Sequence, residues 1–339
     1  MASTTRRKNG MSGPRSYMQI STWIFLPTLV TEFLLVCSPN LPLAASIPVT
    51  LIFCVLSFLA AIYGYLATVT DAIDSHLACH LRDQGDSTPA AAPTGFLALF
   101  YRQPSFTPAQ IEAESTKYCW VCETSVAQHS MHCKYCNKCI SNFDHHCQWL
   151  NTCVGKHNYP YFYKTLWYIS GALLVHGLTS LAIAIDILAH GTSEQRANDW
   201  LGGSNLKALV VAFCFVFVAF DTVAFFLIAQ LLLFHISLKR EKLTTYQFIL
   251  KDNQRKRDLA KINETINSKR IVAIRKAKQE GKTLLFYQLK CGKYCKACDP
   301  LVLEVPPSTR QEAPEYSNCE EIDLEESKSE NDEDSRNAL

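Results

Sequence analysis

Four apolar stretches, residues 20–37, 46–70, 166–189 and 206–237, constrain this chain more than any other feature. A bilayer core about 30 Å thick takes roughly 20 residues of apolar helix to cross, and each stretch has that length or nearly so. The first is the least apolar, since Pro27 and Glu32 lie inside it. A cleaved signal peptide is a poor account of it, because the stretch is long and a second one follows close behind. The expected fold class is an all-α polytopic membrane protein with four transmembrane helices.

Flanking charge predicts the orientation, since lysine and arginine collect on the cytosolic side. Arg6, Arg7, Lys8 and Arg15 precede the first stretch, and the loop between the second and third carries seven basic residues. Lys239, Arg240 and Lys242 follow the fourth. The loop 39–45 has no charge, and 191–205 sets Arg196 against Glu194 and Asp199. Both ends and the long central loop are therefore expected in the cytosol.

That side is reducing and disfavours disulfides, which gives the cysteines a meaning. Seven of the 15 fall between Cys119 and Cys153, accompanied by His129, His132, His145, His146 and His157. The pattern runs CWVC, then HCKYCNKC, then DHHC, then Cys153. Structural zinc takes four cysteine or histidine ligands, often from pairs two residues apart. Two ions need eight ligands, so several of these twelve residues are spare, and counting alone does not choose them.

The segment 119–162 resembles the DHHC-type protein S-acyltransferases almost position for position, and the four-span layout around it matches as well. The resemblance implies a cytosolic cysteine-rich domain of short β-hairpins between the second and third helices, holding two structural Zn²⁺. One ion would sit on Cys119, Cys122, His132 and Cys139, the other on Cys133, Cys136, His146 and Cys153. Cys147 is left unmetallated beside His145 and Asp144. It is then the nucleophile, since a thiolate attacks where a thiol does not. His145 is its base and Asp144 fixes the imidazole tautomer, as the acid does in hydrolase triads. The implied activity moves a long-chain acyl group, palmitoyl above all, from acyl-CoA to protein cysteines through an acyl-enzyme. The other reading is a catalytically weak membrane adaptor whose zinc domain binds proteins.

Departures from the family pattern are local. Gln148 stands where proline usually follows the nucleophile, and Thr152 replaces a second asparagine, while Asn151, Gly155 and Asn158 are kept. The Asp-Pro-Gly motif after the second span is reduced to TDAID, leaving Asp71 or Asp74 to stand in. LTTYQF, with Thr244, Thr245 and Gln247, resembles the Thr-Thr-x-Glu motif with an amide for the carboxylate. It reads equally as a helix N-cap, and the threonines are expected to pack the tail against the catalytic loop.

Inside the spans, His176 and Asp221 are costly in lipid and are expected to face the bundle interior, where they can pair. Residues 87–95 read as a Pro/Ala linker, and 107–110 as a capping box opening a short helix. Residues 251–282 are basic and helical in propensity, a solvated helix or a surface for anionic lipid headgroups. Cys291, Cys295 and Cys298 lack a fourth ligand and read as acylated or reduced cysteines, and 312–339 is acidic and expected to be disordered.

The expected organisation is a cytosolic N-terminus over 1–19, helices over 20–70, the cytosolic loop 71–165 with its zinc domain, helices over 166–237, a basic segment over 238–300 and an acidic tail over 301–339. Expected partners are acyl-CoA, cysteine-bearing membrane-associated proteins and membrane lipids, and not nucleic acid. Span lengths favour the thin membranes of the endoplasmic reticulum or Golgi.

Overall fold

A computed structural model of the chain describes residues 6–85, 92–102, 111, 113–189 and 207–280. Most of the linker 87–95, the capping box at 107–110, the loop 191–205, the cysteines at 291–298 and the acidic tail fall outside the described residues. The chain divides into two units, Met1–Leu250 and Lys251–Leu339. In the second, the described residues are helical and mostly exposed. The first unit carries the rest of the described fold.

Four helices are long and apolar enough to cross a membrane: Tyr17–Asn40, Leu43–Val69, Tyr159–Ala189 and Val210–Glu241. The third packs along both the second and the fourth. Ile24, Leu51, Val216 and Phe226 are each more than three-fifths exposed on their outer faces. So large an apolar surface is incompatible with water and belongs in lipid. The inner faces close on Leu29, Phe33, Phe53, Leu173 and Ile183.

Two helices depart from the hydropathy reading. The third begins at Tyr159, seven residues before its apolar stretch, because its first turns Tyr159–Lys164 are amphipathic and hydropathy does not register them. Pro160 sits in that first turn, where its missing N–H costs nothing. The first span contains a π-turn, Phe33–Cys37, which no composition signal announces.

Between the second and third spans lie three two-stranded antiparallel hairpins: β1 Thr116–Cys119 with β2 Thr124–Ala127, β3 Met131–Cys133 with β4 Lys138–Ile140, and β5 His145–Cys147 with β6 Thr152–Val154. Hairpins this short are marginal alone, so other bonds hold them. Asp74 is fully buried and caps the helix Ser75–Asp83 by accepting from the N–H groups of His76 and Leu77 at 3.0 and 3.1 Å. Its second oxygen accepts from Ala127 N at 3.2 Å and Ser130 Oγ at 2.5 Å. Asp71 accepts from the buried ammonium of Lys138 at 2.5 Å. Both aspartates of TDAID thus tie the end of the second span to the hairpins.

The N-terminal segment makes a second tie. Arg7 N donates to Cys136 O at 3.0 Å and Gly10 N to Thr68 O at 2.8 Å. Asn151 Nδ2 reaches Gly10 O and Pro14 O at 3.2 and 3.1 Å. A Cβ at Gly10 would stand 2.0 Å from Leu150 O, so only glycine fits this approach.

Candidate active site and metal centres

Strand periodicity explains how neighbouring residues serve different centres. Successive strand residues point to opposite faces. In β5, His145 and Cys147 therefore share one face and His146 takes the other. In β3, His132 and Cys133 likewise diverge. Across the hairpins, His132 pairs with Cys139 and His146 with Cys153. Each Cys-x-x-Cys turn then meets the His–Cys rung of the next hairpin.

Two clusters result, Cys119, Cys122, His132 and Cys139 in one and Cys133, Cys136, His146 and Cys153 in the other, each with its ligand atoms within 4.8 Å of one another. In the first, Cys122 Sγ lies 3.3 Å from His132 Nδ1 and 3.8 Å from Cys139 Sγ. In the second, His146 Nδ1 lies 3.7, 3.5 and 3.4 Å from the sulfurs of Cys133, Cys136 and Cys153. A tetrahedral zinc with Zn–S of about 2.3 Å and Zn–N of about 2.0 Å sets ligand atoms about 3.5–3.8 Å apart. Donor set and spacing fit that ion. The second hairpin contributes to both clusters, so ordering one orders the other.

Cys147 stays out of both. Its side chain is buried among Tyr63, Leu66, Ala67, Phe162, Leu166 and Leu232 from three spans. On the same face, His145 Nδ1 bonds Asp144 Oδ2 at 2.7 Å, which leaves Nε2 as the nitrogen available to a thiol. Burial alone would lower the ring's pKa, but hydrogen bonds with Asp144 and with Cys147 outweigh it and hold the group up at about 9. For Asp144 too, burial pushes upward and loses. The bonds from His145 and Thr245 keep the carboxyl below its ordinary range.

Asp144 is also gripped from just beyond the fourth span. Thr245 N and Thr245 Oγ1 donate to its two oxygens at 2.7 and 2.8 Å. Thr244 is the N-cap of the helix Thr245–Gln279. Thr244 N donates to Gln247 Oε1 at 2.9 Å and Gln247 N to Thr244 Oγ1 at 3.2 Å, a reciprocal capping box. The cap and the packing against the loop of Asp144 are one arrangement, and an amide serves it as a carboxylate would.

The departures at Gln148 and Thr152 lie on the hairpin itself. Gln148 is exposed and opens the turn that Asn151 closes at 3.3 Å, with Asn151 at φ 55°. Thr152 is buried opposite Cys147. Asn158 Nδ2 donates to Ala67 O and Cys153 O, and its Oδ1 accepts from Gly155 N, joining the hairpin to two spans.

Residues 112–252 match the family model of the DHHC palmitoyltransferases. The chain carries a DHHC palmitoyltransferase domain. No curated protein matches the chain. The DHHC domain takes in the hairpins, the third and fourth spans and Thr244–Gln247, so every contact to Asp144 named above is internal to it. One neighbour in the DHHC domain escaped the reading of the sequence. His235 of the fourth span is buried, gathers with Asp144 and His145, and meets Tyr159 Oη at 3.2 Å through Nδ1. Its signal was a histidine near the end of an apolar stretch, the kind of residue that rarely faces lipid.

Proposed function

We propose that the protein is a protein S-acyltransferase that moves a long-chain acyl group, palmitoyl above all, from acyl-CoA to cysteines of membrane-associated proteins. The observation that carries the reading is the split of β5. His145 and Cys147 face the membrane spans with Asp144 behind the imidazole, while His146 turns to three cysteines. Cys119, Cys122, His132 and Cys139 would hold one Zn²⁺ and Cys133, Cys136, His146 and Cys153 another. When bound, those ions cross-link the loops and supply no chemistry to the acyl group.

In the first step the Cys147 sulfur forms a bond to the thioester carbonyl carbon, the bond from that carbon to the CoA sulfur breaks, and the thiol proton passes by way of His145 to the departing CoA thiolate. In the second, a substrate cysteine repeats the exchange and Cys147 regains a proton. Each step makes the kind of bond it breaks, so no external energy is required. Burying the chain among the spans is worth about 0.8 kcal/mol per CH₂, and the apolar wall around Cys147 keeps water from the intermediate.

The distribution of basic residues supports a cytosolic site, with cytosolic termini and the domain limits given by the sequence, and span lengths support an endoplasmic reticulum or Golgi membrane. Acyl-CoA, cysteine-bearing proteins and lipids are the partners of this reading. Purified protein given a labelled palmitoyl-CoA should acquire a hydroxylamine-sensitive label on Cys147. Equal labelling of Cys147→Ser would refute the assignment.

A further inference from the structure

A second histidine–carboxylate constellation lies inside the membrane spans, away from Cys147. His176 of the third span is fully buried, and its Nδ1 bonds Asp221 Oδ2 of the fourth span at 2.6 Å. Its Nε2 bonds Glu32 Oε2 of the first span. Cys37 Sγ lies 3.6 Å from both Glu32 oxygens and 3.3 Å from Ser180 Oγ. Glu32, Cys37 and His176 are all buried, with ligand atoms within 4.8 Å of one another.

Two structural devices bring these groups together. In an α-helix, residues five apart point about 140° away from each other. The π-turn Phe33–Cys37 swings Cys37 back over Glu32, and such turns are frequent at functional sites. Gly177 does the rest. A Cβ there would stand 3.3 Å from Asp221 Cβ, so the missing side chain lets the fourth span come close enough for Asp221 to reach His176.

Protons or a cation must bridge these groups. Two carboxylates and one imidazole share a dry bundle, and isolated buried charge is costly. Along the spans, the nearest lysine or arginine is Lys164, twelve residues from His176 and so about 18 Å along the helix.

We propose that Glu32, Cys37 and His176 form an intramembrane site for a borderline divalent cation of the zinc class, with Asp221 as its outer support. Carboxylate, thiolate and imidazole are all zinc ligands. A carboxylate on the far ring nitrogen, which Asp221 supplies, fixes the tautomer that leaves Nε2 free to coordinate. Uptake displaces the proton shared by Glu32 and His176 and ionises the Cys37 thiol, so protons leave as the ion enters. The dication balances its two anionic ligands, Glu32 and Cys37, while Asp221 keeps the Nδ1–H of the neutral imidazole, and Ser180 stands beside Cys37. This centre needs no acyl transfer, and it differs in kind from the Cys₃His clusters, which offer three sulfurs each.

The test is metal counting on the full-length protein purified in detergent without chelator. Wild type should hold one zinc more than Cys37→Ala or His176→Gln, with the zinc retained by either variant serving as the control for folding. Asp221→Asn should keep the ion but weaken it by about 10- to 100-fold in competition with a chelator. X-ray absorption on the wild type needs no variant, and should give a mean of fewer than three sulfurs per zinc. A zinc count equal in wild type and both variants, or a mean of three sulfurs, would overturn the proposal. Loss of acyl labelling in these variants would bear on the Cys147 reading and not on this one.

Discussion

Two histidines in this molecule, His176 buried and His145 half-buried, begin alike and end differently. His145 and His176 each present Nδ1 to an aspartate, at 2.7 and 2.6 Å. Beyond the ring, His145 meets the thiol of Cys147, whereas His176 meets the carboxylate of Glu32 with Cys37 alongside. The first aspartate is anchored by Thr245 from outside the spans, and the second packs against Gly177 of the third span. The pair itself therefore does not define a function. The third partner and its setting do, a thiol at the edge of the spans in one case and an enclosed donor set in the other.

The largest expected effect removes what holds the first histidine in place. Stripping metal with a strong chelator should unfold the three hairpins and abolish acyl labelling of Cys147, while the four spans keep their helical circular dichroism. Retained labelling after complete metal loss would mean that the hairpins stand without ions. Next comes Asp144→Asn, which keeps the shape but removes the charge and the tautomer control. Single-turnover labelling should slow on the order of 10²- to 10⁴-fold. The corresponding change at the other histidine, Asp221→Asn, should appear instead as a loss of about 1–3 kcal/mol in unfolding free energy. If both substitutions acted on the labelling rate alone, the contrast between the two regions would vanish.

How much of this was legible beforehand differs between the regions for a physical reason. The two Cys₃His clusters and Cys147 sit in short hairpins, where residues close in sequence stay close in space. Cys119, Cys122, His132 and Cys139 lie together, and so do Cys133, Cys136, His146 and Cys153; the family resemblance had named these sets, which counting the cysteines and histidines had not. The pairing of His176 with Asp221 was legible from their cost in lipid. Glu32 was not. It read as a blemish in the first span, and its meaning depends on a π-turn and on a partner 144 residues away. His235 and the N-terminal segment escaped for the same reason, since Gly10 and Arg7 act through backbone contacts that no local pattern encodes.

Smaller effects sharpen the first region. Thr245→Val removes a hydroxyl donor from Asp144, and labelling should slow by roughly 3- to 10-fold with zinc content unchanged. Gln247→Ala removes one half of the capping box and should cost about 1 kcal/mol in thermal or denaturant unfolding. Gln247→Glu should instead gain a few tenths of a kcal/mol, because a carboxylate at a helix N-terminus opposes the dipole. A gain in rate as large as the Asp144→Asn loss would mean that the amide limits turnover, contrary to the capping geometry.

One measurement reaches the central claim without a variant. Stoichiometric palmitoyl-CoA is mixed with the purified protein, and CoA release and the mass of the peptide containing Cys147 are followed together. One equivalent of CoA should appear in step with one acyl group on Cys147, removable by hydroxylamine. CoA released with no adduct, or an adduct on any of the eight ligand residues in place of Cys147, would contradict the account.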